Sequence, residues 1–373
     1  MSTKLSTATI TFHASHNYGS MLQAYALQQV LLSLGVDNAI INFRSNQQKQ
    51  MYADIGFKRA TSLQTFLHYY LKYPISKQLH RKYELFEQFL SKYLILTSEY
   101  NDECAIYALR DNYDIFIAGS DQIWNTICRD YSDLYYLPFA TGKAISYAAS
   151  LGPEPQQQAI DRYSFIIQTI KGFRNLSVRE IGSAQVLKDI CGVEAQVHID
   201  PTMLLEPKYW KTIMPQEPLI NRDYVFWYTP YFRIDHRNIA MAIADGLHQK
   251  VVTTIYGGIK EYTTNSKVHY KLDVGPIEFL NLLYHAKVVV SGSFHAIVFA
   301  ILFHRPFWAI NGDEDNRMSN LLRKMGLMGR AIHANEVETK MNDMYEVDFT
   351  QADKILIAER ERSLSYLKEA LNL

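Results

Sequence analysis

Short apolar runs alternate along the chain with longer segments in which apolar residues recur at helical spacing. Residues 8–12 form the first apolar run, and the spacing over residues 19–34 predicts a helix that ends at Gly35. A second apolar run covers residues 39–43. This strand–helix–strand unit predicts a parallel sheet with a right-handed crossover.

The same alternation continues to the end of the chain, with one proline-containing interruption. Pro207, Pro215 and Pro218 fall within residues 205–221, where they interrupt any regular element and predict a domain boundary. Before it, we predict strands over 114–118, 143–148 and 175–178, helices over 155–171 and 179–191, and a short strand and turn over 197–202. After it, we predict strands over 224–228 and 251–256, helices over 235–249, 276–285 and 351–367, and a strand–turn–helix–strand segment over 288–310.

This pattern predicts an α/β protein with two Rossmann-like domains that face a cleft. The first domain is expected over residues 1–207 and the second over 219–345, and a C-terminal helix in 346–373 could pack back on the first. Ligands of such sheets bind at the carboxyl ends of the strands. Neither domain contains GxGxxG or GxxxxGK[ST], which argues against a dinucleotide site or a P-loop.

Composition narrows the function classes. The chain has 373 residues, and its 38 Lys and Arg balance its 38 Asp and Glu, so no global field indicates nucleic acid as a partner. Cys104, Cys128 and Cys191 lack CxxC spacing, and the histidines and carboxylates lack metal-ligand spacing, so no metal is expected. We see no signal peptide and no membrane span, and expect a cytoplasmic protein.

Residues 58–98 combine many aromatic residues with an excess of Lys and Arg over Glu, and the helical pattern there is interrupted at Pro74. One interpretation is a basic amphipathic surface that docks peripherally on an anionic membrane or on a lipid-linked substrate. The other is a solvated helical excursion that packs on the sheet. The second is the more common reason for such a segment.

The segment 288–310 carries the clearest candidate site. A buried strand ends in Ser291-Gly292-Ser293, and Phe294-His295 open the next helix. A helix N-terminus at the carboxyl end of a strand holds anions, because its free N–H groups and the positive end of its dipole point at the ligand. The apolar flanks do not explain His295, which either serves a ligand or satisfies a carbonyl within the core.

Three further loops carry polar residues that follow predicted strands. Each also has a structural explanation: Asn17 could start a helix, Asp121 and Asp200 could cap one, and Arg179 could pair with Glu180 or another carboxylate. The candidates are His13, His16, Asn17 and Tyr18 in the first loop, Asp121, Gln122 and Trp124 in the second, and Arg179, His198 and Asp200 in the third, with Arg305 and Arg317 downstream of His295.

Four segments in order resemble the polysaccharide pyruvyl transferase family: TFHASHNYGSMLQAYALQQVLLSLG, DIFIAGSDQIW, LSVREIGSAQVL with HIDPTMLL, and VSGSFHAIVFAILFHRPF. The resemblance runs from about residue 10 to residue 327. It implies a two-domain protein of the GT-B type. It also implies an enzyme that moves the enolpyruvyl group of phosphoenolpyruvate onto a sugar of a surface polysaccharide, forming a pyruvate ketal and releasing phosphate.

The resemblance also implies roles for the candidate residues. The donor carries a carboxylate and a phosphate, and ketal formation needs an acid and a base. We expect His295 to act as the acid or to hold the departing phosphate, and Asp121 to act as a base or to bind hydroxyls. The donor residues would be Ser291, Gly292, Ser293, Arg305 and Arg317 on the 219–345 side, together with Arg179. The acceptor residues would be His13, His16, Asn17, Tyr18, Gln122 and Trp124, on the 1–207 side, with Trp124 or Tyr18 stacking on the sugar.

The expected partners are phosphoenolpyruvate as co-substrate and a glycan acceptor linked to lipid at the cytoplasmic face, with no organic cofactor. One branch of the family has Arg-Leu-His where this chain has Ser293-Phe294-His295. Either another residue supplies that positive charge or the donor differs. Two alternatives therefore stay open. One is a GT-B glycosyltransferase whose His295 and arginines hold the diphosphate of a nucleotide sugar, and the other is a non-catalytic glycan-binding protein.

Overall fold

The computed structural model describes residues 4–54, 63–153, 163–343 and 345–373, with the backbone alone at 63–74, 163, 264 and 342. Its described residues form two compact units. The first unit comprises those within Met1–Tyr52, Leu90–Leu205 and Asp353–Leu373, and the second those within Ala53–Phe89 and Glu206–Ala352. Each unit is an α/β structure built on its own parallel sheet, so the predicted fold class is confirmed.

The sheet of the first unit has the strand order β2-β1-β3-β4-β5, with all pairs parallel, and β6 and β7 form a second parallel pair. Its strands are β1 (Ser6–Ile10), β2 (Asp37–Ile40), β3 (Ile115–Ala118), β4 (Ala144–Ser146), β5 (Phe173–Asn175), β6 (Ser177–Val178) and β7 (Gln196–Val197). Its helices are α1 (Tyr18–Ser33), α2 (Asn46–Met51), α4 (Glu103–Tyr107), α5 (Tyr163–Ile170), α6 (Ile181–Cys191) and most of α14 (Thr350–Leu371).

The sheet of the second unit has the order β10-β9-β8-β11-β12-β13, again parallel throughout. Its strands are β8 (Tyr224–Tyr228), β9 (Lys250–Thr253), β10 (Val268–Tyr270), β11 (Val288–Ser291), β12 (Phe307–Ile310) and β13 (Ala331–Ile332). Its helices are most of α3 (Leu63–Tyr93), then α7 (Pro207–Ile213), α8 (Ile234–Gly246), α9 (Ile259–Thr264), α10 (Pro276–Tyr284), α11 (Phe294–Leu302), α12 (Asn316–Lys324) and α13 (Val337–Lys340).

Short 3₁₀ turns connect these elements at Ala108–Asp111, Asp133–Tyr136, Pro201–Met203, Met328–Arg330, Ala334–Glu336 and Met341–Asp343. The central strands are apolar because both of their faces are covered by helices. Every residue of β3, β8 and β11 is buried, and so is every residue of α11. That explains why the segment 288–310 is an almost continuous apolar run.

The strand orders locate one crevice in each unit. In the first unit the chain direction across the sheet reverses between β1 and β3, and in the second between β8 and β11. At such a switch point the two connecting helices lie on opposite faces of the sheet. A crevice therefore opens at the carboxyl ends of the two strands, and this is where open α/β sheets bind ligands.

Two sequence-based expectations about proline are wrong. The helical pattern was expected to break at Pro74, but α3 is a single helix from Leu63 to Tyr93. Buried Ile75, Phe86 and Phe89 follow Pro74 along it, and this packing offsets the hydrogen bond that a proline removes. Pro207 does not interrupt a regular element but begins α7, since proline is well suited to the first turn of a helix.

The compact units also differ from the predicted boundaries. Residues 53–89 were expected within a 1–207 domain, but they group with the second unit. Packing places them there, because Gln78 Oε1 accepts from the Leu272 N–H at 3.0 Å. The C-terminal helix groups with the first unit, where Tyr366 Oη donates to the Ser146 carbonyl at 2.8 Å. The predicted strand 175–178 is divided between β5 and β6, and the start of the helix predicted over 155–171 lies outside the described residues.

Candidate functional site

The crevice of the second unit is formed by the ends of β8 and β11. Ser291 ends β11, and its hydroxyl donates to the Tyr228 carbonyl at the end of β8 and accepts from the Ser293 N–H at 3.0 Å. Ser293 is the N-cap of α11, but its side chain makes no capping hydrogen bond. The cap side chain therefore does not satisfy the first turn of α11, and the positive end of the helix dipole lies at this crevice.

His295 is the second residue of α11 and lies at this crevice with 8 % of its surface exposed. Its ring packs edge-on against Phe294, with the ring centroids 5.2 Å apart. Ser291, Gly292, Ser293 and His295 thus occupy one turn at the carboxyl edge of the sheet, as the sequence predicted.

A second histidine lies at the same crevice and was missed by the sequence analysis. His236 is in the first turn of α8, the helix that follows β8. A Cβ placed on Gly292 would lie 3.0 Å from Cε1 of His236, 3.2 Å from its Nδ1 and 3.4 Å from Cγ2 of Thr229. The imidazole therefore packs directly on the turn, and a side chain at position 292 would require it to shift by a few tenths of an ångström. The sequence signal was a histidine at the start of the helix that follows β8. This signal points to the site only when β8 and β11 are known to be neighbouring strands.

The two downstream arginines lie at opposite edges of the sheet. Arg317 follows β12 and starts α12 at the carboxyl edge, where its Nε and Nη2 donate to Asp315 at 3.2 and 2.6 Å. Arg305 precedes β12, so it lies at the amino edge, with its guanidinium carbon 4.8 Å from the centre of the Tyr284 ring. The length of α11, about 13 Å, separates the two edges. Arg305 was predicted to bind the donor together with His295, but the structure places it at the opposite edge of the sheet.

The crevice of the first unit is formed by the ends of β1 and β3. Asn17 is the N-cap of α1 and accepts from the Gly19 and Ser20 N–H groups at 2.9 and 3.3 Å. His13 is buried, with its ring nitrogens 3.2 Å from the Thr11 carbonyl and 3.0 Å from Oδ1 of Asn42. Asn17 and His13 therefore serve the fold, which is the structural alternative that the sequence left open for Asn17.

The aromatic residues expected to stack on a sugar are in the core. Trp124 is 1 % exposed, its ring stacks on Tyr136 with centroids 5.2 Å apart, and its Nε1 donates to the Tyr135 carbonyl at 3.0 Å. Tyr18 is 2 % exposed as the first residue of α1. Neither offers a face to a ligand, so the predicted stacking role is wrong for both. His16 is only partly buried and stacks on Tyr52 at the edge of this crevice, with centroids 5.4 Å apart.

Asp121 sits in a strained backbone conformation at the end of β3. Its φ is 71°, and Ala148, at the end of β4, has a φ of 48°. Non-glycine residues are uncommon in this region, and such strain clusters at functional sites. Oδ2 of Asp121 accepts from the Ser20 hydroxyl at 2.6 Å. The neighbouring Gln122 is partly buried, and its Oε1 accepts from Asn125 at 3.0 Å.

Arg179 forms a buried ion-pair network behind this crevice. Its Nε donates to Oε1 of Glu180 at 2.7 Å and its Nη1 to Oδ2 of Asp200 at 2.8 Å, and all three side chains are at most 3 % exposed. The carboxylates hold the pKa of Arg179 above its ordinary value despite burial, so the guanidinium is charged. Asp200 also accepts from the Thr202 N–H at 3.0 Å, as expected of a capping residue. The network thus engages Nε and Nη1 of the guanidinium to which the family resemblance gave a donor-binding role.

Asp130 is a second carboxylate of this crevice that the sequence analysis did not identify. The hydroxyls of Ser15 and Tyr52 both donate to its Oδ2, the latter at 2.9 Å. Burial raises the pKa of Asp130, and the charge of Asp121 adds to the effect. Two carboxylates, one strained and one with a raised pKa, therefore share this edge of the first unit.

The raised pKa has a consequence for stability. The native state holds the Asp130 proton more tightly than the unfolded chain does, so ionising this group costs stability as the pH rises from below about 4. We expect the melting temperature of Asp130→Asn, relative to wild type, to increase between pH 3 and pH 7. Tyr52→Phe removes a hydroxyl that donates to the Asp130 carboxylate. Ionisation of Asp130 should therefore cost more stability in this variant than in wild type. If the difference in melting temperature between Asp130→Asn and wild type is the same at pH 3 and pH 7, this prediction is wrong.

Within the described ranges, no three His, Cys, Asp or Glu side chains are grouped as metal ligands, and no helix has both the length and the hydropathy of a membrane span.

Comparisons with known proteins find one matching family and several similar folds. A family model described as polysaccharide pyruvyl transferase matches residues 17–314. UDP-N-acetylglucosamine 2-epimerase from Rickettsia bellii is 9 % identical, with a TM-score of 0.54 over 99 % of this chain and 98 % of that chain. MnaA from S. aureus, solved with UDP, is 12 % identical, with a TM-score of 0.56 over 99 % and 97 % of the two chains. At such identities the likeness establishes a shared GT-B fold alone. Among curated proteins, sequence comparison finds no match.

Proposed function

We propose that this chain, which belongs to the polysaccharide pyruvyl transferase family, uses phosphoenolpyruvate to place a pyruvate ketal on a sugar of a bacterial surface polysaccharide precursor. The observation that carries the proposal is the turn from Ser291 to His295. It combines an anion-binding helix N-terminus with an imidazole at the switch point of the second unit. That combination suits a donor that carries a phosphate and must be protonated.

The chemistry requires two additions to one carbon. Protonation of the donor's methylene carbon makes its neighbour electrophilic, and a sugar hydroxyl attacks there and loses its proton. Phosphate then leaves with the electron pair of its C–O bond, and a second hydroxyl of the same sugar closes the ketal. The two hydroxyl protons balance the new methyl hydrogen and the proton on the released phosphate. One acid and one base are therefore sufficient.

We assign the acid role to His295, since an imidazole exchanges protons near neutral pH. The positive end of the α11 dipole would stabilise the phosphate as it leaves. In the first unit, Asp121 and Asp130 are the candidate bases for the acceptor hydroxyls, because both lie at the β1–β3 crevice and Asp130 has a raised pKa. Gln122 and His16, both partly buried there, are the remaining predicted acceptor residues whose placement suits that role.

The direct test is to incubate the full chain with phosphoenolpyruvate and with galactosyl, mannosyl or N-acetylmannosaminyl acceptors. We expect release of inorganic phosphate and an acceptor whose mass increases by that of a pyruvate ketal. If no acceptor gains mass and phosphoenolpyruvate does not bind, the proposal is wrong.

A nucleotide-sugar glycosyltransferase is the second candidate. It is favoured by Ser293, which leaves the turn without an arginine beside His295, and by the GT-B fold shared with the UDP-bound MnaA. Ligands that bind only the native state raise its melting temperature. Stabilisation by UDP- or GDP-sugars, with none by phosphoenolpyruvate, would select this candidate.

The positions of the two arginines give a prediction about donor affinity. Arg317→Ala should weaken phosphoenolpyruvate binding about tenfold, because it removes a cation from the carboxyl edge of the second unit. Arg305→Ala, the matched control at the amino edge, should leave the affinity unchanged. Titration calorimetry measures both. If both variants lose the same affinity for phosphoenolpyruvate, the donor does not bind at the carboxyl edge of this sheet.

We also propose that the acceptor is lipid-linked and that the protein meets it in the cytoplasm, through the basic residues of α3. Ile75, Phe86 and Phe89 are buried within the protein, whereas Lys77 and Arg81 are exposed. Charge rather than apolar insertion would therefore drive the contact. Sedimentation with anionic vesicles should decrease with salt and in a Lys77→Glu, Arg81→Glu variant. Binding that neither change affects would contradict this.

A further inference from the structure

His236 is a buried titratable group that the proposed mechanism leaves unused. It is 7 % exposed, and neither of its ring nitrogens has a hydrogen-bond partner within the described part of the chain. The nearest carboxylate oxygen, on Asp235, is 3.9 Å away, beyond hydrogen-bond distance. An unpartnered buried polar group costs free energy and needs an explanation.

The position of the ring indicates what would satisfy it. His236 lies in the first turn of α8 and packs on Gly292, in the turn that leads into α11. Both helices begin at the β8–β11 switch point, and neither N-cap side chain caps its helix. The imidazole therefore lies beside the first turn of α11, where the dipoles of both helices favour an anion.

We infer that His236 is a phosphate-binding residue of this crevice, which donates a ring N–H to an oxygen of a phosphorylated ligand whose negative charge is stabilised by the N-terminal ends of α8 and α11. The inference rests on the proposed function only for the identity of that ligand. The phosphate of phosphoenolpyruvate and the diphosphate of a nucleotide sugar share the chemistry.

The protonation state suits this role. Burial lowers the pKa of His236, so its ring is neutral near pH 7 and offers one N–H donor and one acceptor nitrogen. Of the charged groups beside it, Asp235 and Arg233 are paired with each other at 2.7 Å, so they largely cancel. A neutral donor can then bind the phosphate without adding a second buried charge.

The test compares His236→Phe with wild type in the full chain, titrated with inorganic phosphate, phosphoenolpyruvate and UDP. Phenylalanine keeps an aromatic ring at the position that packs on Gly292 and removes both ring nitrogens. We expect about 10- to 100-fold weaker binding of the ligand that occupies the crevice, together with an unchanged or higher melting temperature. A residue with a merely structural role would show the opposite pattern.

His248→Asn is the matched control, because His248 is an exposed histidine just beyond the other end of α8. It should bind all three ligands as wild type does. Gly292→Ala is the second variant should His236→Phe not fold, since its methyl group would shift the imidazole and should also weaken binding of the same ligand. Weakened phosphate and phosphoenolpyruvate binding identifies a phosphomonoester site, and weakened UDP binding identifies a diphosphate site.

Unchanged affinities in His236→Phe, or a wild-type chain that binds none of the three ligands, would overturn the inference. The proposed function fails separately. If the chain binds phosphate through His236 but forms no ketal, the phosphate site is correct and the proposed function is wrong. If His236→Phe keeps full transfer activity, the proposed function is correct and the phosphate site is wrong.

Discussion

Replacing His295 with asparagine should reduce the rate of pyruvyl transfer by about 10²- to 10⁴-fold, the usual contribution of a general acid. His295 is in the first turn of α11, at the switch point of the second unit, where a donor phosphate would bind. Asparagine cannot deliver a proton to the methylene carbon. The loss should fall on kcat, with a smaller change in KM, because binding of the phosphate depends on the dipole of α11 as well.

The matched control is His304→Asn. His304 lies just beyond the other end of α11, is exposed, and has a left-handed φ of 51° that asparagine adopts readily. This variant should keep wild-type activity. Steady-state assays of phosphate release, with circular dichroism to verify folding, measure both. Equal activity of His295→Asn and wild type would remove His295 from the mechanism.

Replacing Arg179 with alanine should destabilise the protein by about 3–5 kcal/mol. Arg179 lies between Glu180 and Asp200, and all three side chains are at most 3 % exposed. Its removal leaves two carboxylates buried without their cation, and that desolvation penalty is much larger than the loss of one surface ion pair. Urea denaturation, monitored by circular dichroism, gives the change in free energy of unfolding.

Arg174→Ala is the control, because Arg174 is an exposed arginine on the neighbouring β5. It should change the free energy of unfolding by no more than about 0.5 kcal/mol. The experiment also decides the role of Arg179. If Arg179→Ala has normal stability but no longer binds phosphoenolpyruvate, the donor role that the family resemblance implies is correct and the structural role is not.

Much of the fold and of the second-unit site could be read from the sequence. The βαβ alternation predicted parallel sheets because strands buried on both faces must be continuously apolar, as β11 is. The turn from Ser291 to His295 was predictable because it is local: a strand, three small residues and a helix follow one another along the chain. Asn17 was likewise open to interpretation as a helix start, since N-caps depend on immediate neighbours.

The remaining site residues depend on which strands are neighbours. His236 meets Gly292 because β8 pairs with β11, although the two residues are far apart in the chain. Asp130 meets Ser15 and Tyr52 in the same way. Trp124 shows the converse: its type suggested a sugar platform, but only packing could show that Tyr136 covers its face.

By itself, then, the sequence determined the class of fold, the family and the turn that carries His295, because each depends on residues that are neighbours along the chain. The tertiary structure decided which groups share a site. It moved Arg305 to the far edge of the sheet, enclosed Arg179 between two acids and brought His236 to the turn. The physical reason is that strand order, which sets the switch points, comes from long-range packing that no local pattern encodes.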